Sequence, residues 1–383
     1  FKNIITISAI LIVSSTFNNS ASAQNDYNFT LIKDLKSTSV KNQGYSSTCW
    51  SFATCSMLES EILTKSNEEA DFSEMYINRC TFIEKAKMYV RMHGKTNFDE
   101  GGEGHDVINI MRKYGIVHQN IYEGRKEDDK NLFDHEKLVK ELKDYLDSLI
   151  SNNESKLPDN WLKSYEKILD NYLGVVPESF IYKSKKYTPL TFLSDYVKFN
   201  PDDYVEFTSF THHPFYKEFF LEMPDNWSFD LYHNIPLQEL IQLIDSSIEK
   251  GYTVGWGGDV SENEFSSRNG IAIVPKKDWQ DKSEKEQKNT LKIPEKEKNI
   301  TQEMRQKAFD DYTTTDDHFM HITGVVKDQN GVKYYKMKNS YGNNNEKQGF
   351  IYLSEQYVKY KTMSIIVNKN SIPAKIKEKS GIK

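Results

Sequence analysis

At Gly251 the hydrophobic period of this chain changes, and that switch limits the folds open to it. Just before it, Pro236 to Lys250 reads as an amphipathic helix. Pro236 stands at the first turn, Leu237, Leu240, Ile241, Ile244 and Ile248 form one stripe, and Gly251 closes it. After it, Tyr252 to Trp256, Ile271 to Val274, His318 to Val326, Lys333 to Lys338, Phe350 to Leu353 and Met363 to Val367 read as strands. Asn330-Gly331 supplies a hairpin turn between two of them. Upstream, helices are predicted from Cys49 onward, over Ser73 to Val90, over Asp106 to Lys113 and over Asp128 to Asp170. In the first of these Phe52, Ala53, Met57, Leu58 and Ile62 recur at helical spacing, with Glu59 and Glu61 on a wetter face. Asn171 to Asn226 is irregular, and Lys276 to Lys298 reads as a charged, exposed insertion loop. Helices first and an antiparallel sheet last predict an α+β fold with two lobes.

Charge and cysteine content narrow the function classes. The 383 residues carry a formal net charge of -6, which argues against a nucleic-acid partner because phosphate binding needs a basic surface. Lys2 followed by apolar Ile4 to Val13, too short to span a bilayer, and then by Ala21-Ser22-Ala23 reads as a signal peptide over residues 1–23. The expectation is export to the periplasm or beyond the cell, with no membrane segment once the signal is removed. The three cysteines, Cys49, Cys55 and Cys80, are too few for a disulfide framework and leave one thiol over. Cys55 and Cys80 read as core residues, a Cys55–Cys80 disulfide being the alternative.

The leftover thiol has a setting that suits chemistry. A Cys at a helix start gains from the partial positive charge there, which favours the thiolate. Cys49 occupies such a place, and Gln43, six residues upstream in a Gly-containing loop, offers an amide donor for an oxyanion. A nucleophilic thiol also needs a His to share its proton and a third group to orient the ring.

Lys41 to Ala53, reading KNQGYSSTCWSFA, resembles the nucleophile segment of papain-like cysteine peptidases. Asp317-His318-Phe319-Met320 with Gly324 resembles their His segment, and Lys338-Asn339-Ser340-Tyr341-Gly342 their Asn segment, in the same chain order. Thr48, Met320, Phe72-Ser73-Glu74 and Gly101-Gly102-Glu103-Gly104-His105-Asp106 are similar to the bleomycin hydrolase and aminopeptidase C group. The resemblance implies a papain-like two-lobed fold. Its parts are a helical lobe over 24–124, a helical insertion over 125–235, a β-rich lobe over 236–369 and a tail over 370–383. It implies Cys49, His318, Asn339 and Gln43 as catalytic residues, Trp50, Gly102 and Asp259 toward the substrate, and no cofactor or metal. Peptides are the implied substrates, and a homo-oligomer is compatible. Aminopeptidase action of the bleomycin hydrolase type is the first reading. An endopeptidase is the second, and a catalytically weak peptide-binding protein the third, because bulky Phe319 follows the His.

Remaining histidines are assigned by geometry. His318 and His321, three apart on a strand, point to opposite faces, so His321 is expected to pack away from the site. His212-His213, adjacent on an extended segment, are expected to point apart and not to bind zinc. His105 is expected to be structural.

Overall fold

The computed structural model describes residues 26–125, 131–151 and 156–383. The signal-peptide reading and the first residues of the predicted Asp128 helix lie outside the described residues. The architecture is α+β, with long helices early in the chain and one large sheet built mostly from residues after them. Among the described residues no helix is long and apolar enough to cross a membrane.

Helix α1, Cys49–Ser66, is the axis of the structure. A helix buried on all sides loses its amphipathic stripe, and here Trp50 to Glu61 is buried without a break. Small side chains make this possible: Ser51, Ala53, Thr54 and Ser56 let neighbours approach closely. The expectation of a wetter face at Glu59 and Glu61 is therefore wrong. Glu59 is buried because Thr38 Oγ1 donates to it at 2.7 Å, the Phe72 N–H at 2.8 Å and Lys41 Nζ at 3.4 Å. Glu61 takes Asn368 Nδ2 at 3.1 Å. A buried carboxylate survives only with such partners. Helices α2 (Glu74–Arg91) and α3 (Gly104–Tyr114) pack beside α1.

The sheet supplies the other wall. Strand Val254–Gly258 lies between His318–Lys327 and Thr362–Asn368, antiparallel to both, and Lys333–Lys338 and Phe350–Ser354 continue past the His318 strand. The predicted hairpin is present, with Gly331 at φ 81 and Asp328 N–H bonded to the Val332 carbonyl at 3.0 Å. Alternation divides the strands between two cores: Phe319 and Ile366 face α1, while Met320, Ile365 and Val367 face the Leu237–Glu249 helix. Gly324 stands where a Cβ would come within 2.3 Å of the Lys33 carbonyl oxygen, so its bare backbone admits the strand Thr30–Asp34.

The segment 125–235 has its long helices in its first half, at α4 (Glu136–Ser151) and α5 (Trp161–Leu173), and only short helical turns between Pro189 and Asp203 after them. Beyond them Tyr204–Thr208 pairs with Thr362–Asn368 and extends the main sheet. Aromatic and β-branched residues there favour strand pairing. The charged stretch after Lys276 is not a simple exposed loop either. It forms a short helix, Glu284–Asn289, and buries Lys282 between Thr290 Oγ1 at 2.6 Å and Glu295 at 2.7 Å.

Phe319 turns into the α1-facing core and fills the space above two glycines. A Cβ on Gly255 would lie 3.0 Å from the Phe319 ring and 2.4 Å from Ile366, and one on Gly257 would lie 2.9 Å from the same ring. The ring is 2% exposed, so it does not narrow any cleft. Gly255→Val should lower stability by about 1–3 kcal/mol through overpacking, seen as a lower urea midpoint with an unchanged denaturant slope.

Candidate active site

Cys49 is the first residue of α1, where the leading N–H groups have no partner within the helix. The loop that delivers it is held by hydrogen bonds. Gln43 N–H donates to the Ser340 carbonyl at 2.9 Å, Ser46 Oγ to the Gln43 carbonyl at 2.7 Å, and Ser46 Oγ lies 2.6 Å from Thr48 Oγ1. Gly44 adopts φ 67, and a Cβ there would lie 2.6 Å from the Phe133 carbonyl oxygen, so the 125–235 segment seats on this turn.

Glu100, which the sequence did not single out, ties these parts together. One oxygen accepts the Ser47 N–H at 2.7 Å, and the other meets Asn78 Nδ2 at 3.2 Å and His135 Nδ1. Its carbonyl accepts Trp50 Nε1 at 3.2 Å. One buried residue thereby links the loop before Cys49, α2 and the 125–235 segment.

His318 begins its strand, and its Nε2 lies 2.7 Å from Asn339 Oδ1. An amide oxygen only accepts, so this bond assigns the proton to Nε2 and leaves Nδ1 as the base. Asn339 Oδ1 also accepts the Ser340 N–H at 2.8 Å, which fixes the amide's orientation. The Tyr341 ring stacks on the imidazole at 4.9 Å, with its hydroxyl 3.3 Å from Nδ1. Ser340 Oγ donates to Gln43 Oε1 at 2.5 Å, and Gln43 Nε2 donates to the Ser46 carbonyl at 2.6 Å. The Cys, His, Asn and Gln segments therefore meet through hydrogen bonds across nearly 300 residues of sequence.

Burial dominates the electrostatics. It pushes the Cys49 thiol up to about 12, against the Phe319 N–H, and the charges of Asp316 and Asp225 add to the rise. Burial also pulls His318 down to about 4, against its bond to Asn339. Each group alone prefers to be neutral, so charge appears here at least cost when sulfur and imidazole acquire it together.

His321 lies on the opposite face, as expected, with Nδ1 3.0 Å from Ser56 Oγ of α1. His105 is structural: its Nδ1 meets Glu206 Oε2 at 2.6 Å, and the surrounding acids raise it to about 10 despite burial. All three cysteines are free. The residues expected to face substrate behave differently. Trp50 is fully buried, and its indole supports Gly102 from beneath, 2.9 Å from where a Cβ would stand. Asp259 is buried too. Its carboxylate accepts Ser261 N–H at 2.8 Å, Ser261 Oγ at 2.7 Å and Thr315 N–H at 3.1 Å, so it shapes the approach to the His318 strand instead of meeting a peptide.

His212 and His213 do not point apart. The chain bends there, one ring stacks on Phe309 and the other on Phe219. Both Nε2 atoms then converge on Glu222, at 3.0 and 2.9 Å. Among the described residues these three are the His/carboxylate set whose ligand atoms lie within 4.8 Å of one another.

A family model described as "Peptidase C1-like family" matches residues 3–381. The chain belongs to that family. Its relatives include bleomycin hydrolase of Gallus gallus, 24% identical over 388 residues, which span 87% of this chain and 81% of the relative. Aminopeptidase C of Streptococcus thermophilus is 23% identical over 401 residues, covering 92% and 84%. The crystal structure of PepW from Lactobacillus rhamnosis superimposes with a TM-score of 0.71 at 19% identity over 91% of this chain and 84% of that one, which shows a shared fold. This Peptidase C1-like chain is thus a cysteine peptidase with a papain-like fold. Glu100→Ala should leave the Ser47 N–H and the Asn78 amide without acceptors and cost about 3 kcal/mol, read as a lowered thermal midpoint.

Proposed function

We propose that this chain hydrolyses peptides by a Cys49–His318–Asn339 mechanism and trims them from the amino terminus. The observation that carries the reading is the Asn339-fixed imidazole of His318 in a hydrogen-bonded frame with the start of α1. As the thiol proton passes to His318 Nδ1, the sulfur attacks the scissile carbonyl and a carbon–sulfur bond forms. The oxyanion is met by the Cys49 N–H and by the Gln43 Nε2 hydrogen not given to Ser46. His318 returns its proton to the leaving amine as the carbon–nitrogen bond breaks. The ring then takes a proton from water, which attacks the thioester, and the acid leaves as the thiol is restored. Tyr341 covers one face of the ring and limits its tilt.

Amino-terminal trimming is supported by relatives named aminopeptidase C and aminopeptidase G, as well as bleomycin hydrolase. Ala374–Ser380 packs along the Leu237–Glu249 helix, where Lys379 Nζ bonds Glu239 at 2.7 Å, and Ile382 joins the same core.

Cys49→Ala should reduce hydrolysis of a test peptide by three orders of magnitude or more, roughly the loss expected for a nucleophile; retained turnover would sink the mechanism. His318→Ala should slow alkylation of Cys49 by iodoacetamide near neutral pH on the order of 100-fold, with the rate then climbing about tenfold per pH unit as hydroxide alone makes the thiolate. Mass spectrometry of an unblocked decapeptide should show single residues lost in order from its amino end. Internal cuts would make the enzyme an endopeptidase.

A further inference from the structure

Acidic groups crowd the nucleophile without a part in that mechanism. Glu103 directly follows Gly102 and is fully buried. Asp316 lies two residues before His318. Asp225 reaches over Gly101, where a Cβ would sit 2.0 Å from its carboxylate oxygen. Asp225 is provided for: Asn97 Nδ2 donates to it at 3.1 Å, and buried Lys85 balances its charge. Glu206 is provided for by His105. Glu103 and Asp316 are not. Glu103 Oε1 and Asp316 Oδ2 are buried and receive no hydrogen bond from another residue's N–H or O–H group among the described residues, while Ser364 Oγ lies 3.4 Å from the other Glu103 oxygen, Oε2. The two carboxyl groups face each other closely enough to share a proton.

An acid pair beside a thiol that must ionise works against the chemistry, since Asp316 opposes negative charge on Cys49. The arrangement becomes favourable if the missing cation arrives with the substrate. We propose that Glu103 and Asp316 form an ammonium-binding subsite that holds a positively charged nitrogen of the peptide beside Cys49. The proposal rests on the reading of this cleft as a peptidase site. The ammonium is either the free α-amino group or a lysine side chain, and both present the same N–H donors to two carboxyl groups. Its arrival satisfies the orphaned oxygens and removes the charge that disfavours the thiolate, so a matching substrate also activates its own nucleophile.

The pair's protonation gives a second handle. Burial and the neighbouring charges of Asp225 and Glu206 raise Asp316 to about 7, while Glu103 shares its proton and His105 opposes the rise. Asp317, Cys49 and Tyr232 are further titratable groups that feel the pair's charge. His105 stays charged through this window, being raised to about 10. A carboxylate that gains its negative charge as pH rises through about 7 binds an ammonium more strongly above that pH than below it.

The test uses full-length Cys49→Ala protein, which keeps the cleft without turnover, and calorimetry with three probes: Leu-Ala-Ala amide, its N-acetyl form, and N-acetyl-Lys-Ala-Ala amide. At about pH 8, one or both ammonium-bearing probes should bind on the order of 10- to 100-fold tighter than the N-acetyl-Leu probe. A gain confined to the unblocked Leu probe identifies the α-amino group, and one confined to the Lys probe identifies the side chain. The gain should shrink at about pH 6, below the raised Asp316 value, and fall to about threefold or less with Glu103→Gln and Asp316→Asn combined. Asp316→Asn alone, at the more exposed member, serves if the double variant fails to fold and should reduce the gain by itself. Equal binding of the three probes, no binding of any, or a gain untouched by these substitutions overturns the subsite. Because binding is read without turnover, a preserved preference in a wild-type protein that hydrolyses nothing would count against the mechanism and leave the subsite standing.

Discussion

The structure depends on burying α1 from Trp50 to Glu61. A helix enclosed on all sides cannot rotate or slide without breaking contacts in every direction, so its first residue is fixed relative to the sheet. Ser56 is the pin: it meets His321 at 3.0 Å and Lys338 Nζ at 2.7 Å, each on a different strand of the sheet. His321 and Lys338 are register partners on adjacent strands, and each lies next to or near a residue of the site, Phe319 and His318 on one strand and Asn339 on the other. Positioning of the sulfur and of the imidazole thus comes from one contact repeated across helix and sheet.

Where local pattern decides the outcome, the sequence was readable. The Leu237–Glu249 helix, the hairpin at Asn330-Gly331 and the strands after Gly251 follow from period and turn chemistry. The bonding of the Asn339 segment to His318 and to the Gln43 loop joins stretches that were legible because each is short and recognisable. What escaped was set by partners far away in the chain. Glu59 and Glu61 look solvated until Lys41, Phe72 and Asn368 close over them. Trp50 and Asp259 share the motif's neighbourhood, but their side chains turn inward to hold it up. His212 and His213 converge because two phenylalanines elsewhere in the chain take up their rings. The strand Tyr204–Thr208 is too short to be told from loop without its partner strand.

Glu103 and Asp316 were in plain view, one after a glycine pair and the other opening an acidic doublet before the His. Their significance depends on burial and on missing donors, and neither is a property of a sequence string. Around the sulfur the chain has placed more acids than cations. Lys85 and His105 are committed to Asp225, Asp106 and Glu206, so the remaining imbalance falls on the pair nearest the chemistry. A site of this kind is incomplete at rest, and its field favours whatever brings the opposite charge.

The seating of Phe319 over Gly255 and Gly257 makes three positions answer to one volume. A smaller residue at 319 would leave a void unless one of the glycines acquired a side chain, and a glycine can acquire one only if 319 shrinks and, at Gly255, Ile366 also gives way. Divergence at these sites has to proceed by paired exchange, with single steps passing through a clash or a cavity. The position beside the imidazole can therefore change size over evolutionary time only in concert with the strand that lies against it.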